Sequence, residues 1–221
     1  MSLSIASFVV LVTRLWRLFV GLFAFGFGIA LLVHADLGLG PWDVLHQGIS
    51  ERTGIPIGTV GIGVGALLLL LWIPLPVRIG FGTIANTVVI GLVIDATLWV
   101  LPESAPLGVR LVEAPLGIVL VAIGSGFYIG AGLGPGPRDG LMTGLHQRTG
   151  VSVRLVRTAI EITVVVTGFL LGGTVGVGTL LYAVAIGPFA QLFLRVFAVP
   201  APGEGSTVVA GRTPRRAILR S

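Results

Sequence analysis

An 18-residue stretch occurs twice in this chain and constrains the fold more than any other feature. Leu37–Gly54 reads LGLGPWDVLHQGISERTG, and Leu133–Gly150 reads LGPGPRDGLMTGLHQRTG, 96 residues further on. Ten of the 18 aligned positions are identical, where chance at this composition would give about one or two. The same offset, without a gap, places Gly80-Phe81-Gly82-Thr83 on Gly176-Val177-Gly178-Thr179 and Ile90-Gly91 on Ile186-Gly187. It also places Gly21 and Gly28 on Gly117 and Gly124. The chain is therefore a duplicated unit, and each copy carries one polar, glycine-hinged segment inside an apolar sequence.

The apolar part settles the class. Hydrophobic residues make up 54% of the chain and charged residues 10%, with a mean hydropathy of +1.03. A solvated domain needs about a quarter of its residues charged, so the expectation is an integral membrane protein. All 14 basic residues are arginine, and they flank apolar segments rather than forming a stripe. That distribution carries topology information and gives no reason to expect nucleic acid as a partner. With no cysteine and three scattered histidines, neither a disulfide framework nor a metal set is expected, and no cofactor is implied.

Six apolar stretches approach the ~20 residues that a bilayer crossing requires. They cover about 18–33, 57–75, 81–101, 116–133, 153–171 and 179–199. The chain then divides into a first three-span repeat (1–101), a linker loop (102–114), a second three-span repeat (115–199) and a disordered basic tail (200–221). The first span belongs to the fold rather than to a cleaved signal, because its glycines have mates in the second copy, where no signal operates. With a cytoplasmic N-terminus, the inner side receives Arg14, Arg17, Arg78, Arg138, Arg148, Arg195 and the four tail arginines; the outer side keeps Arg52 and Arg110. The positive-inside bias thus puts both termini in the cytoplasm. Three spans is an odd number, so the second copy enters from the opposite side. The expected fold is all-α: a polytopic membrane helix bundle of two inverted three-span repeats, each with a short hinged helix, as in many secondary transporters. The hinged helices themselves, about 13 residues and ~20 Å long, are too short to cross.

The residues able to carry chemistry gather in and around the hinges. Gly38, Gly40 and Pro41 in the first copy, and Gly134, Gly136 and Pro137 in the second, break one helix and start another. Asp43 and Asp139 fall two residues into the new helix. Asp43, His46, Gln47 and Ser50 share a face, as do Asp139, Thr143 and His146 in the second copy. Two placements fit this pattern: an amphipathic helix lying at the interface, or a half-helix dipping inward to line a cavity. Arg138 stands where the first copy has Trp42, so the two ends are not chemically equivalent. Arg157 and Glu161 are spaced to pair along a helix, and with Arg154 they replace Gly58, Gly61 and Gly65 of the first copy. Asp95 aligns with Gln191 and is either a pathway residue or a hydrogen-bonded one near the outer end. Glycines at spacing four are close-packing positions between helices. The Gly124-Ser125-Gly126 segment lacks the strand-turn-helix context of a nucleophile elbow, so the chain is not expected to be an enzyme.

The turn Gly38-Leu39-Gly40-Pro41-Trp42-Asp43, with Thr53-Gly54 and Gly80-Phe81-Gly82-Thr83, resembles the YczE/YyaS/YitT group of bacterial multi-pass membrane proteins over about residues 15–198. Arg138 departs from the tryptophan of that turn. The resemblance implies membrane location and fold and supplies no catalytic residues. The favoured expectation is a transporter or exporter of a small solute or ion, working by alternating access around a site between the hinges. Asp43 and Asp139 would accept a proton or cation, and Arg138, Arg157 and Glu161 would line the path. The rival is a non-transporting accessory or regulatory membrane protein. The lipid bilayer is the partner in either case, and a homo-oligomer is compatible with both.

Overall fold

A computed structural model describes residues 5–197. Among them every regular element is helical. The order is α1 (Ile5–Ala35), α2 (Pro41–Thr53), α3 (Ile57–Leu71), α4 (Phe81–Val100), α5 (Leu107–Gly130), α6 (Pro137–Thr149), α7 (Val153–Leu170) and α8 (Val177–Val196). The hinged segments are the short helices α2 and α6, each of 13 residues with proline at its start. Each ends where Gly54 or Gly150 turns left-handed, at φ 72° and 73°, a conformation that a Cβ would strain. The basic tail expected over 200–221 lies outside the described residues. Part of the expected linker is helical, because α5 already begins at Leu107.

The α1/α5 pair forms the centre. A Cβ on Gly21 would strike the Gly124 carbonyl, and one on Gly28 would strike the Gly117 carbonyl. Low numbers on one helix meet high numbers on the other, so the two helices run antiparallel at backbone contact. Gly21 and Gly117 are repeat mates, as are Gly28 and Gly124, and exchanging the copies maps one contact onto the other. Two further pairs of contacts obey the same exchange. The Gly82 amide donates to Leu133 O at 2.8 Å, and the Gly178 amide donates to Leu37 O at 2.7 Å. Gly38 packs on Gly176 and Thr179, while Gly134 packs on Gly80 and Thr83.

Where the hinged helices cross the opposite copy, the two crossings are packed differently. Gly168 of α7 lies against the backbone of Val44 and Leu45 in α2. The residues matching Gly168 and Val44 are Trp72, just past α3, and Gly140 of α6, and here the indole fills the space over the glycine. Trp72 is 1% exposed, and its Nε1 donates to Pro137 O at 3.1 Å. The first crossing is a backbone contact, and the second is filled by a ring.

Four helical segments are long and apolar enough to cross a membrane: Ser7–Ala35, Phe81–Val100, Leu107–Gly130 and Val177–Val196. A fifth span results if α2 and α3, bent by 115°, count as one. This is fewer than the six expected from the sequence. The reason is physical: α3 has only 15 residues, and α7 has 18 and carries Arg154, Arg157 and Glu161. Large apolar side chains such as Phe8, Trp16, Trp99, Leu180 and Val184 cover the exterior. A water-soluble surface would not expose so many.

Candidate functional site

The helix starts of α2 and α6 meet inside the bundle. The Arg138 guanidinium carbon sits 5.2 Å from the centre of the Trp42 ring, within cation–π range. These two residues are repeat mates, so their contact lies where the two copies exchange. Arg138 also donates from an Nη to the Asp43 carboxylate at 3.3 Å, and His46 Nδ1 is 3.6 Å from the same oxygen. Asp43 is 2% and His46 4% exposed. A carboxylate this deep needs the partners it has.

A cavity of about 400 Å³ opens at this junction. Asp43, His46, Arg138 and Asp139 line it from the hinged helices, and Arg157 and Glu161 line it from α7. Arg157 Nε donates to Glu161 at 2.7 Å. Asp139 differs from the other acids. Its carboxylate accepts one bond, from the Tyr128 hydroxyl at 3.0 Å. Among the described residues no basic side chain makes an ion pair with it, since Arg138 serves Asp43 and Arg157 serves Glu161. The hinge glycines let these groups approach. The Tyr182 ring lies against Gly40, and the Tyr128 hydroxyl and Asn86 side chain lie against Gly136.

The remaining sequence candidates serve local structure and lie outside the cavity lining. Asp95 caps α3, accepting from the amides of Gly58 and Thr59 at 2.6 and 2.8 Å and from the Thr59 hydroxyl at 2.8 Å. Gln47 accepts from the Thr174 amide at 2.7 Å. Thr143 donates back to Asp139 O at 2.9 Å within α6. His146 Nδ1 bonds Val151 O at 2.7 Å, matching its mate Ser50, which donates to Ile55 O at 2.6 Å. Asp95, Gln47 and His146 tie down a turn or a helix end, and Thr143 bonds within its own helix. The helical periodicity that grouped Gln47, Thr143 and His146 with Asp43 or Asp139 gave a shared face but not its depth. α2 is buried on both faces, with Trp42 and Val44 as well as Asp43 and His46 enclosed.

The aromatic wall escaped the sequence reading. Tyr128 and Tyr182 line the cavity, and they are the chain's two tyrosines. Both fall within apolar helices, Tyr128 near the end of α5 and Tyr182 near the start of α8, where a hydroxyl needs a partner. That was the available signal.

Comparison with known proteins matches residues 12–195 to DUF6198, a family of unknown function. The chain belongs to this family. It is 42% identical to an uncharacterised protein of Haemophilus influenzae over 173 residues, covering 78% of this chain and 79% of that one. It is 36% identical over 189 residues to YczE of Bacillus subtilis, described as an uncharacterised membrane protein, covering 80% and 83% of the two chains. YyaS of the same organism is 24% identical over 184 residues, covering 80% and 90%. No solved structure matches. The chain is thus a membrane protein with several apolar helices, and YczE and YyaS are named members of the group that the Gly-Pro-Trp-Asp turn pointed to.

Proposed function

We propose that the protein is a secondary transporter or exporter of a small solute, with its site in the cavity between α2 and α6. The observation that carries this reading is the contact of Trp42 with its repeat mate Arg138. It brings two half-helices from different copies to one point and surrounds that point with ionisable groups. Broken helices meeting at a repeat interface are how many transporters build a site that faces either side in turn.

In this reading α3 and α7 also cross, giving six spans, with α2 and α6 re-entrant. The antiparallel α1/α5 pair supports inverted copies, because a twofold axis relating antiparallel spans lies in the membrane plane. The chain ends support it as well. Arg110 and Thr174 both bond Asp36, and Arg52 bonds Leu171 O, at one end. Arg148 bonds Pro74 O and Arg17 bonds Phe197 O, contacts that the reading assigns to the other end. With the arginine-rich end inside, both termini are cytoplasmic in a bacterial inner membrane. Single cysteines at Ser50 and His146 should then react with an impermeant reagent from opposite faces of the membrane. Same-side labelling would end the inverted arrangement.

A specific observation favours the rival, a non-transporting accessory or regulatory protein. Asp43 and Glu161 are paired with arginines, and Asp95 caps a helix, as in a purely structural bundle. Asp139 separates the two readings, because it faces the cavity without a cationic partner. A proton- or cation-coupled transporter loses coupled flux in proteoliposomes on Asp139→Asn while still inserting normally. A scaffold carries no flux for the substitution to remove.

A further inference from the structure

The cavity is not closed on all sides, and its two flanks can be compared because they are repeat mates. On one flank α3 packs on α4: a Cβ on Gly58 would strike the Gly91 carbonyl, and one on Gly91 would strike the Gly58 carbonyl. On the other flank the mates are Arg154 and Gly187, and nothing lies within 4 Å of the position a Gly187 Cβ would take. α8 packs on α5 but is almost out of contact with α7. Gly187 and Ile186 still line the cavity, as do Arg157 and Glu161 across the gap. The cavity therefore opens sideways, between two helices whose outer faces are apolar. Val184, Leu180 and Leu192 of α8 and Ile162 and Val166 of α7 are exposed there.

The charge inside has a sign. Two guanidinium groups, of Arg138 and Arg157, face three carboxylates, of Asp43, Asp139 and Glu161. Two of those carboxylates are taken by the two arginines. With His46 counted as neutral the formal charge of the lining is one negative, and Asp139 is the carboxylate outside the two ion pairs. Phe25, Trp42, Tyr128 and Tyr182 line the same cavity, the Trp42 ring lying under Arg138, and the larger part of the wall is apolar. A carboxylate outside any ion pair, in a largely apolar and aromatic cavity that opens between two apolar helices, matches one kind of ligand.

We propose that the cavity binds an amphipathic organic cation, admitted from the bilayer through the open seam between α7 and α8, with Asp139 as its counter-ion. This deepens the transporter reading by naming its substrate class and route. Arg157 and Glu161 form a polar lip that the cationic end passes, while the apolar body stays between the helices. A small inorganic cation would leave the aromatic and aliphatic wall unused, and an anion would meet the unpaired carboxylate.

The test uses the full chain in lipid nanodiscs, with tetraphenylphosphonium and tetraphenylborate as probes of equal shape and opposite sign. Partitioning into empty nanodiscs is subtracted. Saturable binding of the phosphonium should exceed that of both the borate and tetramethylammonium by about tenfold or more. Asp139→Asn should lose about tenfold in affinity, and Asp139→Glu should retain most of it, which separates lost charge from lost folding. Gly187→Trp, filling the seam, should slow phosphonium association without lowering the melting temperature. Equal binding of the borate, preference for tetramethylammonium, or an Asp139→Asn affinity equal to the parent's would overturn the ligand class. Unchanged association in Gly187→Trp would overturn the route. Asp139-dependent phosphonium binding without flux in proteoliposomes would refute transport and leave the ligand class standing. Coupled flux of another solute without phosphonium binding would do the reverse.

Discussion

The seam between α3 and α4 and the seam between α7 and α8 occupy matching places at the 96-residue offset, yet one is sealed and the other open. In the first, Gly58 and Gly91 bring two backbones together, and Asp95 reaches across to hold the first amides of α3. In the second, Arg154 replaces Gly58 and Gln191 replaces Asp95, while Gly187 keeps its glycine with nothing against it. With neither the small residue on α7 nor the acid on α8, the second pair lacks both devices that hold the first together. The two halves keep matching contacts in the core, and different residues at a few positions leave one side open. What this teaches is that the copies share a scaffold without sharing a task.

The comparison predicts unequal tolerance. The largest effect belongs to Trp72, whose ring fills the space over Gly140 where the matching crossing has backbone contact at Gly168. Trp72→Ala should cost about 3–5 kcal/mol, as for other fully buried rings, read as chemical or thermal unfolding in detergent. Adding bulk opposite, with Gly140→Val, should recover part of that loss in the double variant; no recovery would mean that filled volume is not what the ring contributes. Next is Gly58→Leu, which must push α3 off α4 and should cost about 2–3 kcal/mol. The equivalent change on the open side, Gly187→Leu, should cost less than about 0.5 kcal/mol. Equal losses in the two would abolish the distinction between the seams.

These positions also show what could be read in advance. The 96-residue offset pointed to the hinges and to the glycine contacts between helices, because backbone contact leaves small residues at fixed spacing. The hinges and the charged pair of the fifth apolar stretch singled out Asp43, His46, Arg138, Asp139, Arg157 and Glu161, all of which line the cavity. The same patterns could not tell those from Asp95, Gln47, Thr143 and His146. A polar residue near a helix end looks the same whether it faces a cavity or caps the next turn, and only the path of the neighbouring backbone decides. Tyr182 shows a further limit: its mate is Asn86, so a search for matched polar pairs passes over the phenol that lies against Gly40. The open seam was not legible at all, since the absence of packing at Gly187 leaves no mark on the glycine itself.

A smaller effect separates the two helix starts. Asp95→Ala would strip three hydrogen bonds from the beginning of α3 and should cost about 1–2 kcal/mol, the range for a lost cap. At the matching place in the second copy α7 is capped by its own Ser152, whose hydroxyl accepts from the Leu155 amide at 3.3 Å. Gln191→Ala should therefore change stability by less than about 0.5 kcal/mol. If it cost as much as Asp95→Ala, Gln191 would be bridging α7 and α8, and the seam would be closed.

The last effect, also small, is the most informative about what fills the gap. Arg157 and Glu161 pair at 2.7 Å with side chains 54% and 29% exposed. Were that exposure to hydrocarbon, Arg157→Gln would strand the Glu161 carboxylate, at a cost of about 2.5–3.5 kcal/mol by the scale for charges at the centre of a span. If the lip is wet, the pair behaves like an exposed ion pair and its loss should cost under about 1 kcal/mol. The open, charged cavity behind it requires the second outcome, and the melting temperature of Arg157→Gln beside Arg157→Gln/Glu161→Gln measures it. Near-identical values for the single and double variants place water at the lip. A single variant much weaker than the double would place lipid directly against the charged pair, and the cavity would then hold no water at its lip.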